Sequence, residues 1–232
     1  MRKKMSTVLK ELIDRNEIIF RPNVAIALHA KMAEAAGFEF VGVSGSHTSV
    51  HILGLPDAGL ITMTEMVENV QRICNVVSIP VMADCDTGFG NAINVRRTVR
   101  SVIQAGAAGL FMEDQVAPKR CGFVKGKELI SVEEAVGKFR AAVDARNELD
   151  EDFVIMARTD ARTAVGGGLN EAIYRANAYR KEAGVDVIYV EALQSREEIE
   201  KVRAAINGPL ACSCQAVEPH PTLQELQEIL HE

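Results

Sequence analysis

What most constrains this chain is a unit that returns three times along it. A stretch of helical period ends in Ala-Gly and runs at once into a short apolar strand: Ala33–Val43 (AEAAGFEFVGV), Ile103–Glu113 (IQAGAAGLFME) and Lys181–Glu191 (KEAGVDVIYVE). A glycine there suits a left-handed helix cap, after which the chain can turn directly into a strand. Strands that alternate with helices pair in parallel, because each crossover brings the chain back to run in the same direction. Seven runs read as strands: Val24–Leu28, Phe38–Val43, Pro80–Asp84, Gly109–Glu113, Phe153–Arg158, Val187–Glu191 and Pro209–Ser213. They are short and largely apolar, as strands covered on both faces must be. Helical stretches lie between them near Ala30–Ala36, Thr64–Val77, Asn91–Ala105, Ser131–Asn147, Asn170–Ala183 and Ser195–Ile206, with a last one at Thr222–His231. Ser131 with Glu134 fits a capping box, and Thr64 before Glu65 fits a helix start. No linker rich in Pro, Gly or Ser divides the chain, so the expectation is one α/β domain over residues 1–232, a (β/α)8 TIM barrel. The pattern supplies seven βα units where a closed barrel has eight, so the eighth is expected to be missing from this chain.

Composition narrows the function classes. With 47% hydrophobic and 25% charged residues, the 232-residue chain is an ordinary globular sequence rather than a disordered one. A net charge of −6 argues against nucleic acid and against an anionic membrane surface as partners. Aromatic residues are 5% with no Trp, which leaves no stacking platform for single strands. No apolar run reaches the ~18 residues of a membrane span. Met1-Arg2-Lys3-Lys4 leads into a charged segment rather than an apolar signal core, and the five cysteines, Cys74, Cys85, Cys121, Cys212 and Cys214, are irregularly spaced. The expectation is free thiols in a reducing, cytoplasmic compartment.

Barrel chemistry sits where the strands end and in the loops that follow. Strand two ends in Ser44-Gly45-Ser46, strand three in Asp84-Cys85-Asp86, strand four in Glu113-Asp114, strand five in Arg158-Thr159-Asp160 and strand six in Glu191. Polar or charged groups therefore collect at one face. Carboxylates brought together repel unless a cation lies among them. An all-oxygen set of Asp84, Asp86 and Glu113, with Glu191 nearby, suits Mg²⁺, or Mn²⁺ in its place, better than Zn²⁺. The same acids could instead pair with Lys or Arg on neighbouring strands. Arg158 offers a planar fork that matches either a substrate carboxylate or a strand-end acid.

The loop after strand four carries Lys119, Arg120, Cys121 and Gly122 in a row. Positive charge beside a thiol favours its use in proton transfer, and a glycine-bearing loop over a barrel mouth can act as a lid. An inert thiol is the plainer alternative. Gly166-Gly167-Gly168 lacks the Lys-Ser/Thr of a phosphate loop and reads as a connecting loop. Cys212 and Cys214 have no second cysteine pair with which to form a zinc site, and His29, His47 and His51 read as surface or packing residues.

Taken in order, these strings resemble one family. Val43-Ser44-Gly45, Leu53–Asp57 (LGLPD), Ala83–Asn91 (ADCDTGFGN), Glu113-Asp114-Gln115, Lys119–Gly122 (KRCG) and Ala157–Asp160 (ARTD) are similar to the isocitrate lyase/phosphoenolpyruvate mutase superfamily. Within it they are most similar to the 2-methylisocitrate lyase, 2,3-dimethylmalate lyase and petal death protein group. The resemblance covers nearly the whole chain. It implies a Mg²⁺-dependent barrel enzyme, a homotetramer, acting on small α-oxo- or α-hydroxycarboxylates. It implies that Asp84, Asp86 and Glu113 surround the metal, with Asp57 in the same polar shell and Glu191 supporting the metal side. Ser44, Gly45 and Ser46 would hold the oxo-acid carboxylate, and Arg158 would bind substrate. Lys119, Arg120, Cys121 and Gly122 would form a mobile gating loop, with Cys121 as general acid. The implied reaction breaks the C2–C3 bond of a 2-hydroxy di- or tricarboxylate, releasing pyruvate or glyoxylate and a second carboxylate.

The chain departs from that pattern in three places. Phe123 stands where the lyase loop carries His, which favours an alkylated malate over an isocitrate-type substrate. Gly42 stands where an aromatic is frequent. Cys212–Pro219 (CSCQAVEP) replaces an Asn-x-x-Glu-Gly-Gly segment, so the substrate-binding Asn and Glu of that segment are not carried over. Three other readings compete. An oxaloacetate decarboxylase or related oxo-acid enzyme is opposed by Cys121, and a phosphoenolpyruvate mutase is opposed by the Lys-Arg-Cys-Gly loop. A paralogue that binds without turnover is suggested only by the altered segment after strand seven.

Overall fold

The computed structural model describes residues 3–15 and 17–231. Its seven strands form one sheet in chain order: β1 Asn23–Val24, β2 Val41–Val43, β3 Val81–Asp84, β4 Gly109–Glu113, β5 Val154–Thr159, β6 Val187–Val190 and β7 Leu210–Cys212. Every neighbouring pair is parallel. The helices are α1 Met5–Ile13, α2 Ala27–Ala35, α3 Gly45–Thr48, α4 Met63–Cys74, α5 Ala92–Gln104, α6 Val132–Leu149, α7 Leu169–Ala178, α8 Arg196–Ala205 and α9 Leu223–His231. π-Helical turns at Ser49–Leu53 and Tyr179–Ala183 extend α3 and α7. The sheet curls as a TIM-type barrel whose eighth strand is absent among the described residues, as the alternation of elements predicts. No helix among the described residues is long and apolar enough to cross a membrane.

Alternation of side chains across the strands makes two cores. Val41, Val43, Val81, Ala83, Leu110, Met112, Ile155, Ala157, Ile188 and Val190 face outward and pack under the helices. Met82, Phe111, Met156 and Tyr189 belong to a second, inner cluster, joined by Leu9 and Leu12 of α1. α1 thus closes the barrel floor. Its apolar stripe of Met5, Val8, Leu9 and Leu12 has helical spacing but lies outside the repeating βα units.

Local chemistry explains most boundaries. Gly37, Gly106 and Gly184 take left-handed φ values of +90°, +93° and +73° after α2, α5 and the Tyr179–Ala183 turn, as the Ala-Gly signature requires. Ser131 accepts from the Glu134 amide at 3.1 Å. The helix expected to start at Thr64 starts at Met63 instead, because Thr62 builds the stronger cap. Its hydroxyl accepts from the Glu65 amide, and the Glu65 carboxylate accepts from the Thr62 amide at 2.8 Å. The first strand was expected to run to Leu28; it stops at Val24, and α2 has begun by Ala27. An apolar run this short carries no period that separates strand from helix. Behind the mouth, buried Asp114 accepts from Tyr179 Oη (2.6 Å), Thr159 Oγ1 (2.7 Å) and the Asp160 amide (3.0 Å), tying β4 to β5 and to the turn after α7.

Candidate active site

The inner face that is apolar at the floor becomes charged at the mouth. Two residues beyond Met82, Phe111, Met156 and Tyr189 come Asp84, Glu113, Arg158 and Glu191, and the two-residue period of a strand turns them to the same side. All four are buried, and Glu113 is the direct register partner of Arg158. Ser44 caps α3, accepting from the His47 amide at 3.3 Å, and its hydroxyl lies 3.1 Å from that of Ser46. The Gly45 amide donates to Asp84 Oδ2 at 2.8 Å. A Cβ on Gly45 would stand 2.9 Å from that oxygen and 3.0 Å from Asp86 Oδ1, so only glycine lets the β2 turn approach the acids so closely. Asp86 holds a left-handed φ of +45°, and its amide donates to Asp84 Oδ1 at 3.1 Å. A strained backbone at a carboxylate pair is the kind of local cost that sites retain.

One part of the mouth carries a surplus of negative charge. Lys119 Nζ lies 2.5 Å from Asp57 Oδ1 and 3.2 Å from Asp86 Oδ1, and among the described residues no other cation forms an ion pair with those two acids; buried Arg21 adds positive charge toward Asp84. Burial works against the charge of Lys119, but Glu113, Asp84, Asp86 and Asp57 together outweigh it and raise its pKa. Burial and neighbouring Asp84 push the Asp86 carboxyl up to about 6 despite Lys119. Burial also holds Glu113 well above the usual carboxylate range, an effect that Arg158 opposes without cancelling. Two buried oxygens here, Asp86 Oδ1 and Glu113 Oε2, have no hydrogen bond; Lys119 and Arg158 reach them at ion-pair distance only. Among the described residues no three acidic, imidazole or thiol groups are placed together so as to hold a metal ion. The donor set still fits Mg²⁺: hard oxygens, two of them unsatisfied, in excess over positive charge, for an ion that keeps several waters and takes few protein ligands.

The other part is balanced. Arg158 grips Asp160 with two parallel bonds of 3.0 Å and lies 3.3 Å from Glu191 Oε2 and 3.4 Å from Glu113 Oε2. Lys127, fully buried, stands 3.2 Å from Asp160 Oδ1 and donates to the Gly122 carbonyl. Burial alone would raise the Asp160 carboxyl, but Arg158 and Lys127 overcome it and hold it below its usual value. The loop after β4 lies closed over this part. A Cβ on Gly122 would fall 2.4 Å from Arg158 Nη2 and 2.9 Å from Glu191 Cγ. Cys121, a free and half-buried thiol, comes just before it.

The structure corrects the reading of the loop cations. Lys119 and Arg120 do not act as a pair beside the thiol. Lys119 turns into the acidic cluster, while Arg120 is locked by its backbone to the Gln115 side chain (two bonds of 2.9 Å) and leaves its guanidinium exposed. Alternate residues of an extended loop point opposite ways, and the acids choose the inward one. Phe123 is also exposed. Gly42 leaves room that Arg21 fills: a Cβ there would lie 3.0 Å from the Arg21 Cδ and Nε, and the guanidinium sits 4.8 Å over the Phe111 ring. Lys127 has no role in the sequence reading, and Gln115 enters it only within the Glu113-Asp114-Gln115 string; nothing local marks a lysine in a glycine-bearing loop as buried. In the segment after β7, a hydrogen bond from Cys212 holds the Cys214 thiol down to about 7. His51 Nδ1 lies 2.9 Å from the His47 carbonyl and its ring meets that of His29 edge-on, a packing role.

A parallel α/β barrel with buried acids and one caged arginine at a lidded mouth is the architecture of a barrel enzyme. The model of the family described as phosphoenolpyruvate phosphomutase matches residues 9–229, and the chain belongs to this phosphoenolpyruvate mutase/isocitrate lyase superfamily. It is 46% identical over 200 residues to the 2,3-dimethylmalate lyase of Eubacterium barkeri, covering 86% of this chain and 68% of that one. The crystal structure of 2,3-dimethylmalate lyase superposes with a TM-score of 0.92 at 34% identity, covering 99% of this chain and 77% of that one. A phosphonopyruvate hydrolase solved with oxalate and Mg²⁺ superposes at 0.87 and 34% identity, covering 98% and 78%.

Proposed function

We propose that the chain is a Mg²⁺-dependent carbon–carbon lyase that cleaves a 2-hydroxy di- or tricarboxylate of the alkylmalate or methylisocitrate type to pyruvate or glyoxylate plus a second carboxylate. The observation that carries this reading is the under-neutralised cluster of Asp84, Asp86 and Glu113, with its two unsatisfied oxygens, under a closed loop that bears Cys121. Mg²⁺, or Mn²⁺, held by those three acids would supply positive charge to the oxygens of the substrate. Ser44, Gly45 and Ser46 would receive the oxo-acid carboxylate from the β2 end, and Arg158 the distal carboxylate. Asp57 keeps Lys119 turned inward, where its charge offsets the acids when substrate enters. Glu191 and Asp160 hold the Arg158 fork in plane. As the C2–C3 bond breaks, the substrate's C2 hydroxyl would give its proton to a base and become the oxo group, Cys121 would deliver a proton to the carbon released, and Gly122, flat on Arg158, lets the loop exclude water. Exposed Phe123 in place of a polar donor favours an alkylmalate. The working form would be a homotetramer, which sedimentation would check.

The test is oxo-acid release with Mg²⁺ across alkylmalates, isocitrates and oxaloacetate. Pyruvate or glyoxylate from a 2-hydroxy acid, lost on chelation and in Cys121→Ser, is the expected outcome. Release by Cys121→Ser at the wild-type rate refutes the role of the thiol, and turnover of oxaloacetate alone refutes the lyase reading.

A further inference from the structure

Lysine rarely lies fully buried unless its charge is matched, and Lys127 is fully buried within a loop. Its surroundings form a closed ring. The ammonium pairs with Asp160; Asp160 grips Arg158; Gly122 packs flat on Arg158 Nη2; and the Gly122 carbonyl accepts from the same ammonium. Lys127 is also fixed independently of the lid, because its own carbonyl accepts from the Val165 amide at 2.9 Å in the loop after β5. The lid has little else to hold it. Among the described residues, the hydrogen bonds of residues 121–126 are one internal turn, Val124 amide to Cys121 carbonyl at 2.9 Å, and the bond from Lys127. Phe123, Val124, Lys125 and Gly126 are exposed.

We propose that Lys127 is a positioning residue, a latch that fixes the closed lid through the Gly122 carbonyl, sets Cys121 over the mouth, and ties that closure to Arg158 through their shared partner Asp160. This rests on the lyase reading for its effect on turnover. A fixed cation that reads a backbone carbonyl needs no side chain on the lid, so the lid can carry glycine where it meets the guanidinium. The sharing of one carboxylate makes the two events interdependent: displacement of Arg158 shifts Asp160, and with it the ammonium that holds the lid.

The experiment compares Lys127→Met, Lys127→Arg and Gly122→Ala with the wild-type enzyme. Amide hydrogen exchange of residues 121–126 is read with and without Mg²⁺ and oxalate, together with kcat, KM and the melting curve. Lys127→Met is expected to lower kcat by about tenfold or more with KM held within about threefold, and to raise exchange of the lid alone by a similar factor. Lys127→Arg should recover part of both. Gly122→Ala, which pushes the lid off Arg158 but keeps the lysine, should show the same exchange. Wild-type kcat and lid protection in Lys127→Met overturn the latch, as does loss of protection spread evenly through the barrel. If the wild type turns over no substrate, the lyase reading falls, while the exchange comparison still decides the latch.

Discussion

The two parts of the mouth are built from the same residue types and end in opposite electrostatic states. Around Lys119, Asp57, Asp84 and Asp86 crowd one ammonium, with half-satisfied Glu113 beside them, and the Asp86 carboxyl is lifted to about 6. Around Asp160, an arginine and a lysine converge on one carboxylate and lower it. The second arrangement is complete in itself: Arg158 and Lys127 both pair with Asp160, and Glu191 pairs with Arg158. The first is short of positive charge and of hydrogen bonds, and that shortage is its chemical capacity, because a divalent cation would relieve both at once.

Arg158→Met attacks the balanced part and should have the largest effect. Removing the guanidinium leaves Glu113 and Glu191 buried without an ion-pair partner and Asp160 with Lys127 alone, and the expected loss is about 3–5 kcal/mol in urea unfolding. A loss near zero would mean the balanced part is not held by its charges. Gly45→Ala presses a methyl group against Asp84 and Asp86. It should cost about 100-fold in kcat/KM and weaken Mg²⁺ binding in a calorimetric titration, since a misplacement of about 1 Å at a reacting centre has that effect.

Asp86→Asn should act in the opposite direction on stability. The folded-state pKa of Asp86, about 6, lies above the ordinary Asp value of 3.8, so the folded protein binds a proton the unfolded chain has released, and metal-free stability falls as pH rises between those values. Asp160 has the reverse sign: its pKa lies below 3.8, and its stabilisation is lost only as pH falls past that point. Asp86→Asn in chelator should therefore gain about 1 kcal/mol at neutral pH and lose part of the slope between pH 4 and 6, at the expense of activity. An unchanged slope in urea midpoints would show that Asp86 is already compensated. Phe123→His alters the lid and leaves the ion pairs of both parts intact. Being exposed, it should leave stability within about 0.5 kcal/mol while raising the kcat/KM ratio of isocitrates over alkylmalates, measured by competition.

The mouth was readable because its residues follow strand ends. Asp84, Glu113, Arg158 and Glu191 inherit their direction from Met82, Phe111, Met156 and Tyr189 through the two-residue period, which is local and survives any error in strand boundary smaller than the run itself. The Ala-Gly caps were equally local. α1 carried its own helical spacing but stood outside the repeat that organised the rest, and the tail of the first strand belonged to a helix because five apolar residues fit either period.

The amino-acid order by itself determined a parallel α/β barrel and the set of polar groups at its mouth, since periodicity and capping are properties of a few consecutive residues. Tertiary structure alone decided which lysine meets which acid. Lys119 and Lys127 read alike as loop cations, yet one faces a crowd of carboxylates and the other shares Asp160 with Arg158 beneath a lid. Charge pairing depends on distances between chain segments far apart in sequence and on the water excluded between them, and both exist only once the barrel has closed around the site.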